Sequence, residues 1–350
     1  MRRRKASQER LRDMPVLNPG DPGALLLLLA AWCVDVALGA SWFFRKSWFC
    51  PAVLVARVVV GLDRRLNRVE RGDANLMARG VLVVLVVLSA VAAFACAVTA
   101  LARVVPYGFG FVLAVLIACV SLRRPWSQAR EVRRALEQGG PAAGRHALSQ
   151  MVGRPVSGGV DVHGVARQAI EETSLFFNRN VVGCVFWFGL AGLPGLMVWE
   201  AVGAMNAMIG ARSPRYEHFG WAAAKLDALL NFLPARLTGL ALALASSFVP
   251  GGRAGRAFRT MRRDARRHRS PNLGWPIAAT AGGLGLALGG VRCEGEVTIH
   301  EPWIGDGRAR VVGLDVGRVL ALACIALLIV VCAAALVVAV VLAVSVWVAG

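Results

Sequence analysis

A chain of 350 residues in which 57% are hydrophobic and only 17% charged is not an ordinary soluble domain, which carries roughly 25% charged residues. Apolar stretches long enough, or nearly so, to enter or cross a bilayer make it an all-α, polytopic integral membrane protein. The net charge of +19 has two readings that can both hold: Lys and Arg collecting in cytoplasmic loops, or binding of phosphates and carboxylates. No nucleic-acid-binding motif accompanies the basic runs. The eight Cys form no CxxC pair and the five His are scattered, which argues against a disulfide framework and a zinc site.

Residues 1–22 read as a basic cytoplasmic tail. The N-terminal membrane helices, 23–122, follow. Their first apolar run, 23–44, is interrupted by Asp35, either a functional acid or one hydrogen-bonded near a helix end. The piece 50–62 is short for a span and reads as re-entrant or interfacial. Runs 80–102 and 104–122 read as a hairpin of two spans. Residues 123–179 turn Arg-rich and read as a cytoplasmic loop. Three helices are expected in it, at 126–137, 142–151 and 162–172.

The region 180–318 is less regular. Its first run, 180–199, is apolar but broken by Gly192, Pro194 and Gly195, as spans that line a site often are. The stretch 215–236 is too polar for a plain span and too aromatic for a loop. A helix over 222–230 is expected to stop at Pro234, with Asp227 and Asn231 on one face and Arg236 just beyond. Tyr216 lies at its start. This suggests a polar site at a membrane surface; a solvated surface helix is the alternative. Residues 251–269 are Arg-rich and read as cytoplasmic. Within them Asp264 and His268 are four apart, on one helical face, before a turn at Ser270, Pro271 and Asn272. Arg263, Arg266 and Arg267 are candidate phosphate partners. Residues 270–291, uncharged and rich in Gly and Ala, read as a closely packed membrane helix. Residues 293–317 read as a polar loop, and 319–350 as a C-terminal transmembrane helix.

Several stretches resemble one family. ALSQMVGRPV (147–156), VARQAIE (165–171), FWFGLAGLPG (186–195), AMIGARSPRYEHFGWAAAKLDALLNFLPARLT (207–238), RRDARRHRSPNLGWP (262–276) and EPWIGDG (301–307) are similar, in order and spacing, to the adenosylcobinamide-phosphate synthases, the CobD/CbiB membrane proteins of cobalamin biosynthesis. The resemblance implies a multi-pass protein of the bacterial inner membrane with its N-terminus in the cytoplasm. It implies an ATP-dependent ligase that joins adenosylcobyric acid, a corrinoid, to aminopropanol or its phosphate, with other cobalamin-pathway enzymes as possible partners. The chemistry needs ATP and Mg²⁺, which takes one or two carboxylates plus phosphate oxygens. Asp227 and Asp264 are the expected Mg²⁺ ligands, and with His268 the expected catalytic residues. Tyr216, Asn231, Arg236, Arg263, Arg267 and Asn272 are the expected substrate-binding residues.

The chain departs from the family pattern at several acids. Leu175, Phe176 and Arg179 stand where the family has Glu, Asn and Asp. Gly203 and Asn206 replace an NTxD pattern, Ala228 the second acid of an LDD motif, Ile277 a Glu after GWP, and 39–41 an early GDP. A non-catalytic or regulatory membrane protein on the same scaffold is therefore the alternative to an enzyme.

Overall fold

The computed structural model describes residues 22–39, 51–68, 72–210, 215–294 and 297–349. The basic tail falls outside them but for its last residue, as do two of the three residues at 39–41. The described residues are mostly helical: α1 (Pro22–Leu38), α2 (Pro51–Leu66), α3 (Asp73–Val104), α4 (Phe109–Cys119), α5 (Arg123–Gln138), α6 (Gly140–Val152), α7 (Val162–Phe177), α8 (Gly183–Ile209), α9 (Trp221–Leu230), α10 (Phe232–Ala245), α11 (Ala254–Asp264), α12 (Gly274–Leu284) and α13 (Gly313–Ala349). A two-stranded antiparallel hairpin, β1 (Leu288–Glu294) and β2 (Val297–Ile304), precedes α13. Helical stretches at Asp73–Val104, Phe109–Gln138, Val162–Ile209 and Gly313–Ser345 are long and apolar enough to cross a membrane, with a fifth if the broken pair α9 and α10 is one span. The all-α polytopic reading holds. The chain divides into two compact units: residues 1–121, 184–230 and 334–350 form the first, and 122–183 with 231–333 the second.

The first unit packs around Val55 and Val59 of α2, Val83, Val84 and Val87 of α3, Val202, Met205 and Ile209 of α8, and Phe219 and Ala223 at α9. Glycines set its closest approaches. A Cβ on Gly80 of α3 would lie 1.9 Å from the Phe219 carbonyl oxygen, and one on Gly220 would lie 1.7 Å from that of Ile209. Only glycine lets backbones meet this closely. Helix α8 is broken as its sequence predicts: Ala191 and Gly192 leave helical geometry, Gly192 at φ 60, ahead of Pro194.

The second unit is built around α12. Every residue from Pro276 to Leu284 is buried. Its small side chains admit α10 and α11: a Cβ on Gly282 would lie 2.4 Å from Thr260 Oγ1, and one on Gly283 would lie 2.8 Å from Ser246 Cβ. Arg256 closes the C-terminus of α12, with Nε donating to the Gly282 carbonyl at 2.6 Å and Nη2 to that of Gly283 at 3.2 Å. A cation there satisfies carbonyls that have no intrahelical partner and complements the helix dipole. Helix α7 starts on an Asp161 cap, whose Oδ1 accepts from Gly164 N. It runs on through a π turn, Asn178–Val182, into α8, so the third helix of the Arg-rich region does not stop near residue 172.

Three other expectations are corrected. The uncharged run 270–291 is not a membrane helix. At 1.5 Å per residue α12 is about 16 Å long, half of a roughly 30 Å hydrocarbon core. Gly285 at φ 70 ends it, and the chain enters β1. Second, the "polar loop" at 293–317 contains β2. Third, Pro234 does not end a helix. It is the third residue of α10, where a missing N–H costs no intrahelical bond; the break falls at Asn231. If small size at the α12 faces holds this unit together, Gly282→Val should lower the melting temperature of the purified protein in detergent. Overpacking of this kind costs roughly 1–3 kcal/mol. Gly255→Ala, at a position with open space around it, should leave it unchanged.

Candidate functional site

The second unit carries a polar face made from α11, the turn after it, the start of α12 and the end of the hairpin. Its fixed point is Asp264, only 1% exposed. Arg263 grips it with two hydrogen bonds, Nε to Oδ1 at 2.9 Å and Nη2 to Oδ2 at 2.7 Å. Arg267 approaches Oδ1 at 3.3 Å, and Gly305 N donates to Oδ2 at 2.9 Å. The free Nη1 of Arg263 donates to Asp306 at 3.0 Å. The Arg-rich motif and EPWIGDG, 43 residues apart at Arg263 and Asp306, are thus tied by one carboxylate. The Arg263 guanidinium, then the Gly305 N–H, hold the Asp264 carboxyl below the ordinary carboxylate range, against the opposing effect of burial; Arg263 does the same for Asp306.

The glycines of EPWIGDG explain its local form. Gly305 sits at φ 88, left-handed backbone that suits glycine. A Cβ on Gly307 would lie 2.1 Å from the Gly285 backbone. The same end of the hairpin rests on α7. Gly289 N, at a bulge in β1, donates to Oε1 of buried Glu171 at 2.6 Å, and Arg167 stacks over Trp303 at 5.2 Å. Arg269 meets buried Glu301 at 3.3 Å.

His268 is not on one helical face with Asp264. Helix α11 ends at Asp264, a 3₁₀ turn covers Ala265–Arg267, and His268 is extended at ψ 144. Its Nδ1 accepts from Ser270 N at 3.0 Å, so the ring shapes the turn. Nearby, Arg236 of α10 stacks on Phe232 with its Cζ 3.5 Å from the ring centroid, lies 5.0 Å from that of Trp275 and donates to Asn272 Oδ1 at 3.3 Å. Asn231 accepts from Asn178 Nδ2 at 2.9 Å, and Thr238 donates to Asn178 Oδ1 at 2.9 Å. Asn178 is supplied by the π turn, a feature frequent at functional sites. Ser174 and Thr280 pair at 2.9 Å and continue this buried polar line. The second unit therefore gathers Asn231, Arg236, Arg263, Asp264, Arg267, His268 and Asn272 of the expected residues.

Asp227 and Tyr216 belong to the first unit. Asp227 Oδ2 accepts from Asn206 Nδ2 at 3.0 Å. Tyr216 OH lies 3.4 Å from Asp63 Oδ2. Asp63, buried, is the centre of that group: Arg215 Nη2 reaches its Oδ2 at 2.7 Å and Asn67 Nδ2 its Oδ1 at 2.9 Å. Asp227 and Asn231 do not share a helical face, because α9 ends at Leu230. Sequence reasoning passed over Asp63, Asn67, Asn178 and Thr238. The signal was present in part: Asp63 and Asn67 are four apart at the end of an amphipathic helix.

The family model described as CobD/Cbib protein matches residues 28–323. The chain belongs to the CobD/CbiB family. Three relatives are each called "Cobalamin biosynthesis protein CobD". That of Rhizobium meliloti (strain 1021) is 38% identical over 83% of this chain and 89% of its own length. That of Rhodobacter capsulatus is 38% identical over 85% and 91%, and that of Brucella suis biovar 1 is 35% identical over 85% and 92%. No solved structure matches the chain.

The departures from the family pattern now have surroundings. Ile277 is 1% exposed, an apolar residue in an apolar helix core. Asn206 offers Asp227 an amide donor where a second carboxylate would have offered a shared proton or a divalent-cation site. Among the described residues, no three His, Cys, Asp or Glu side chains gather to hold a metal ion. Asp264 does not fit the expected Mg²⁺ role, since guanidinium and N–H donors face both of its oxygens. It fits the role of a pin for the EPWIGDG turn.

Asp264→Asn should therefore destabilise the protein, not only lower activity. We expect about 2 kcal/mol, below the roughly 3–5 kcal/mol for breaking a fully buried pair, because Arg263 is 43% exposed and solvent screens it. The same pair predicts acid sensitivity. Both carboxyls are depressed in the folded state, so their contribution is complete above the unfolded carboxyl value near 3.8 and is lost as pH falls through the folded values. Melting temperature followed from pH 6 to pH 3 should fall less steeply in Arg263→Gln than in the unaltered protein.

Proposed function

We propose that this chain works in cobalamin biosynthesis, as its relatives' names indicate, and that it joins adenosylcobyric acid to aminopropanol or its phosphate by ATP-dependent amide formation. The observation that carries the reading is the cationic face of the second unit, in which Arg236, Arg263, Arg266 and Arg267 stand beside the buried amides Asn231 and Asn272. The reaction brings a carboxylate, ATP and an amine together and so concentrates negative charge. Guanidinium groups offset such charge and orient phosphates by paired hydrogen bonds. Arg263 and Arg267 are engaged by Asp264 and add positive potential to the face, while Arg236 and Arg266 face no carboxylate among the described residues. Mg²⁺, when bound with ATP, would neutralise phosphate charge and polarise the transferred group.

A second reading is favoured by Asp264, Asn206 and Ile277 together. Each unit is left poor in oxygen ligands for Mg²⁺: the second by a pinned carboxylate and an apolar residue, the first by an amide beside Asp227. On this reading the chain binds a corrinoid or a partner enzyme of the pathway without turnover. Complementation of a cobinamide-deficient bacterial strain separates the two, with Mg²⁺-dependent ATP consumption and corrinoid binding measured on purified protein. Enzymatic function predicts growth and ATP consumption that needs both corrinoid and amine, at a rate below that of a relative with the full set of acids. Corrinoid binding with no ATP consumption would establish the second reading.

We also infer residence in the bacterial inner membrane, N-terminus inside, with 123–179 and 251–269 in the cytoplasm, from the Arg excess of both segments. Gln150→Cys and Gly255→Cys, at exposed positions, should resist a membrane-impermeant thiol reagent in intact cells and react after permeabilisation. Reaction of either in intact cells would reverse the orientation.

A further inference from the structure

The arginines of the second unit divide by what they face. Arg263 and Arg267 face Asp264, Arg269 faces Glu301, Arg308 and Arg318 face Asp315, and Arg256 faces the carbonyls that end α12. Their charge is committed to the fold. Arg236 and Arg266 differ: among the described residues neither has a carboxylate partner. Arg236 is nevertheless held in place, stacked on Phe232, close to Trp275 and bonded to Asn272 Oδ1. Arg266 comes close enough to repel it. The fold enforces this approach. Gly274 opens α12 directly against the Ala265 carbonyl, where a Cβ would lie 2.0 Å away, so the residue after Ala265 is carried to the α12 N-terminus. A second unmet demand lies at the same place: Trp275 Nε1 is buried and has no acceptor among the described residues.

Two guanidiniums brought together without an acid, beside the Asn272 amide and a buried indole N–H that has no acceptor among the described residues, make a cationic place rich in donors. We propose that Arg236 and Arg266, with Asn272 and Trp275, bind a phosphate group. A phosphate monoester carries about −1.5 to −2 charges near pH 7 and so matches two guanidiniums, where a carboxylate would match one. This deepens the functional reading and rests on it for the identity of the ligand: the phosphate would belong to the amine or to ATP. The same chemistry has another source. Leu233, Leu237, Leu240 and Leu244 of α10 are exposed along one helical face, and an Arg beside such a stripe can lie level with lipid headgroups. Arg263 and Arg267, although closer to an acid-bearing motif, are not the phosphate ligands on this account.

The test is binding, not turnover. Inorganic phosphate is titrated by calorimetry into full-length protein in a zwitterionic detergent. The unaltered protein should bind it, and Arg236→Gln and Arg266→Gln should each weaken binding at least tenfold. Arg236→Lys, which keeps charge but loses the planar fork, should fall between. Arg266 is exposed, so its variant carries the result if Arg236→Gln fails to fold. In a second arm, native mass spectrometry follows protein released from phosphatidylglycerol and phosphatidylcholine nanodiscs. Phosphatidylglycerol retained by the unaltered protein and lost by both Gln variants would assign the site to a headgroup; phosphate binding in detergent would assign it to a soluble phosphate. Either supports the proposal. If neither Gln substitution alters binding in either arm, the proposal is overturned. Failed complementation with intact phosphate binding would sink the catalytic reading alone.

Discussion

One carboxylate organises the second unit. Asp264 is buried at the end of α11 and receives donors from both sides: Arg263 and Arg267 from its own segment, and Gly305 from the far end of the hairpin. A buried carboxylate with such partners is held ionised, and it in turn fixes every group that donates to it. Without that anchor, the EPWIGDG turn would keep only its backbone bonds at Arg308 to Gly285 and Ala287. With it, the turn is fixed against α12, the hairpin has a defined end, and the guanidinium face has a geometry. The position looks like a metal ligand in the sequence because acid, His and Arg crowd together there. The three-dimensional arrangement makes it structural first.

The sequence disclosed the membrane helices well, because long uncharged runs have few alternatives in water. Residues 80–102 lie within α3, the described part of 319–350 lies within α13, and Gly192 with Pro194 marks the break in α8. It failed at 270–291 for an identifiable reason. Apolar composition does not say whether a helix is buried by lipid or by protein, and α12 is buried by α10 and α11. Pro234 misled because proline at the third position of a helix and proline past its end leave the same trace in a sequence. The hairpin went unread because β1 begins in the apolar run and β2 in a polar one, so neither shows an isolated alternating pattern.

The site was legible as a set of residue types and not as a geometry. Arg236 and Asn272, 36 residues apart, do meet. Asp264 and His268, four apart, do not share a face, because a 3₁₀ turn intervenes. Spacing arguments assume that a helix continues, and a site is often where it stops. Asn178 shows the converse. It lies at the end of a stretch that reads as a cytoplasmic loop, yet its side chain joins Asn231 and Thr238 inside the second unit.

The capping of α12 by Arg256 bears on how the basic charge of this chain should be read. Of its 40 basic residues, only Lys5, Lys46 and Lys225 are lysines. Membrane orientation would be served equally by either residue type. A lysine cannot reach two carbonyls at once from a rigid plane, nor clamp a carboxylate with parallel bonds. Exchange of arginines for lysines across this protein would thus preserve its topology while dissolving much of its internal architecture. The guanidinium also keeps its proton far into alkaline conditions, so the scaffold's exposure to pH lies almost wholly on the acidic side.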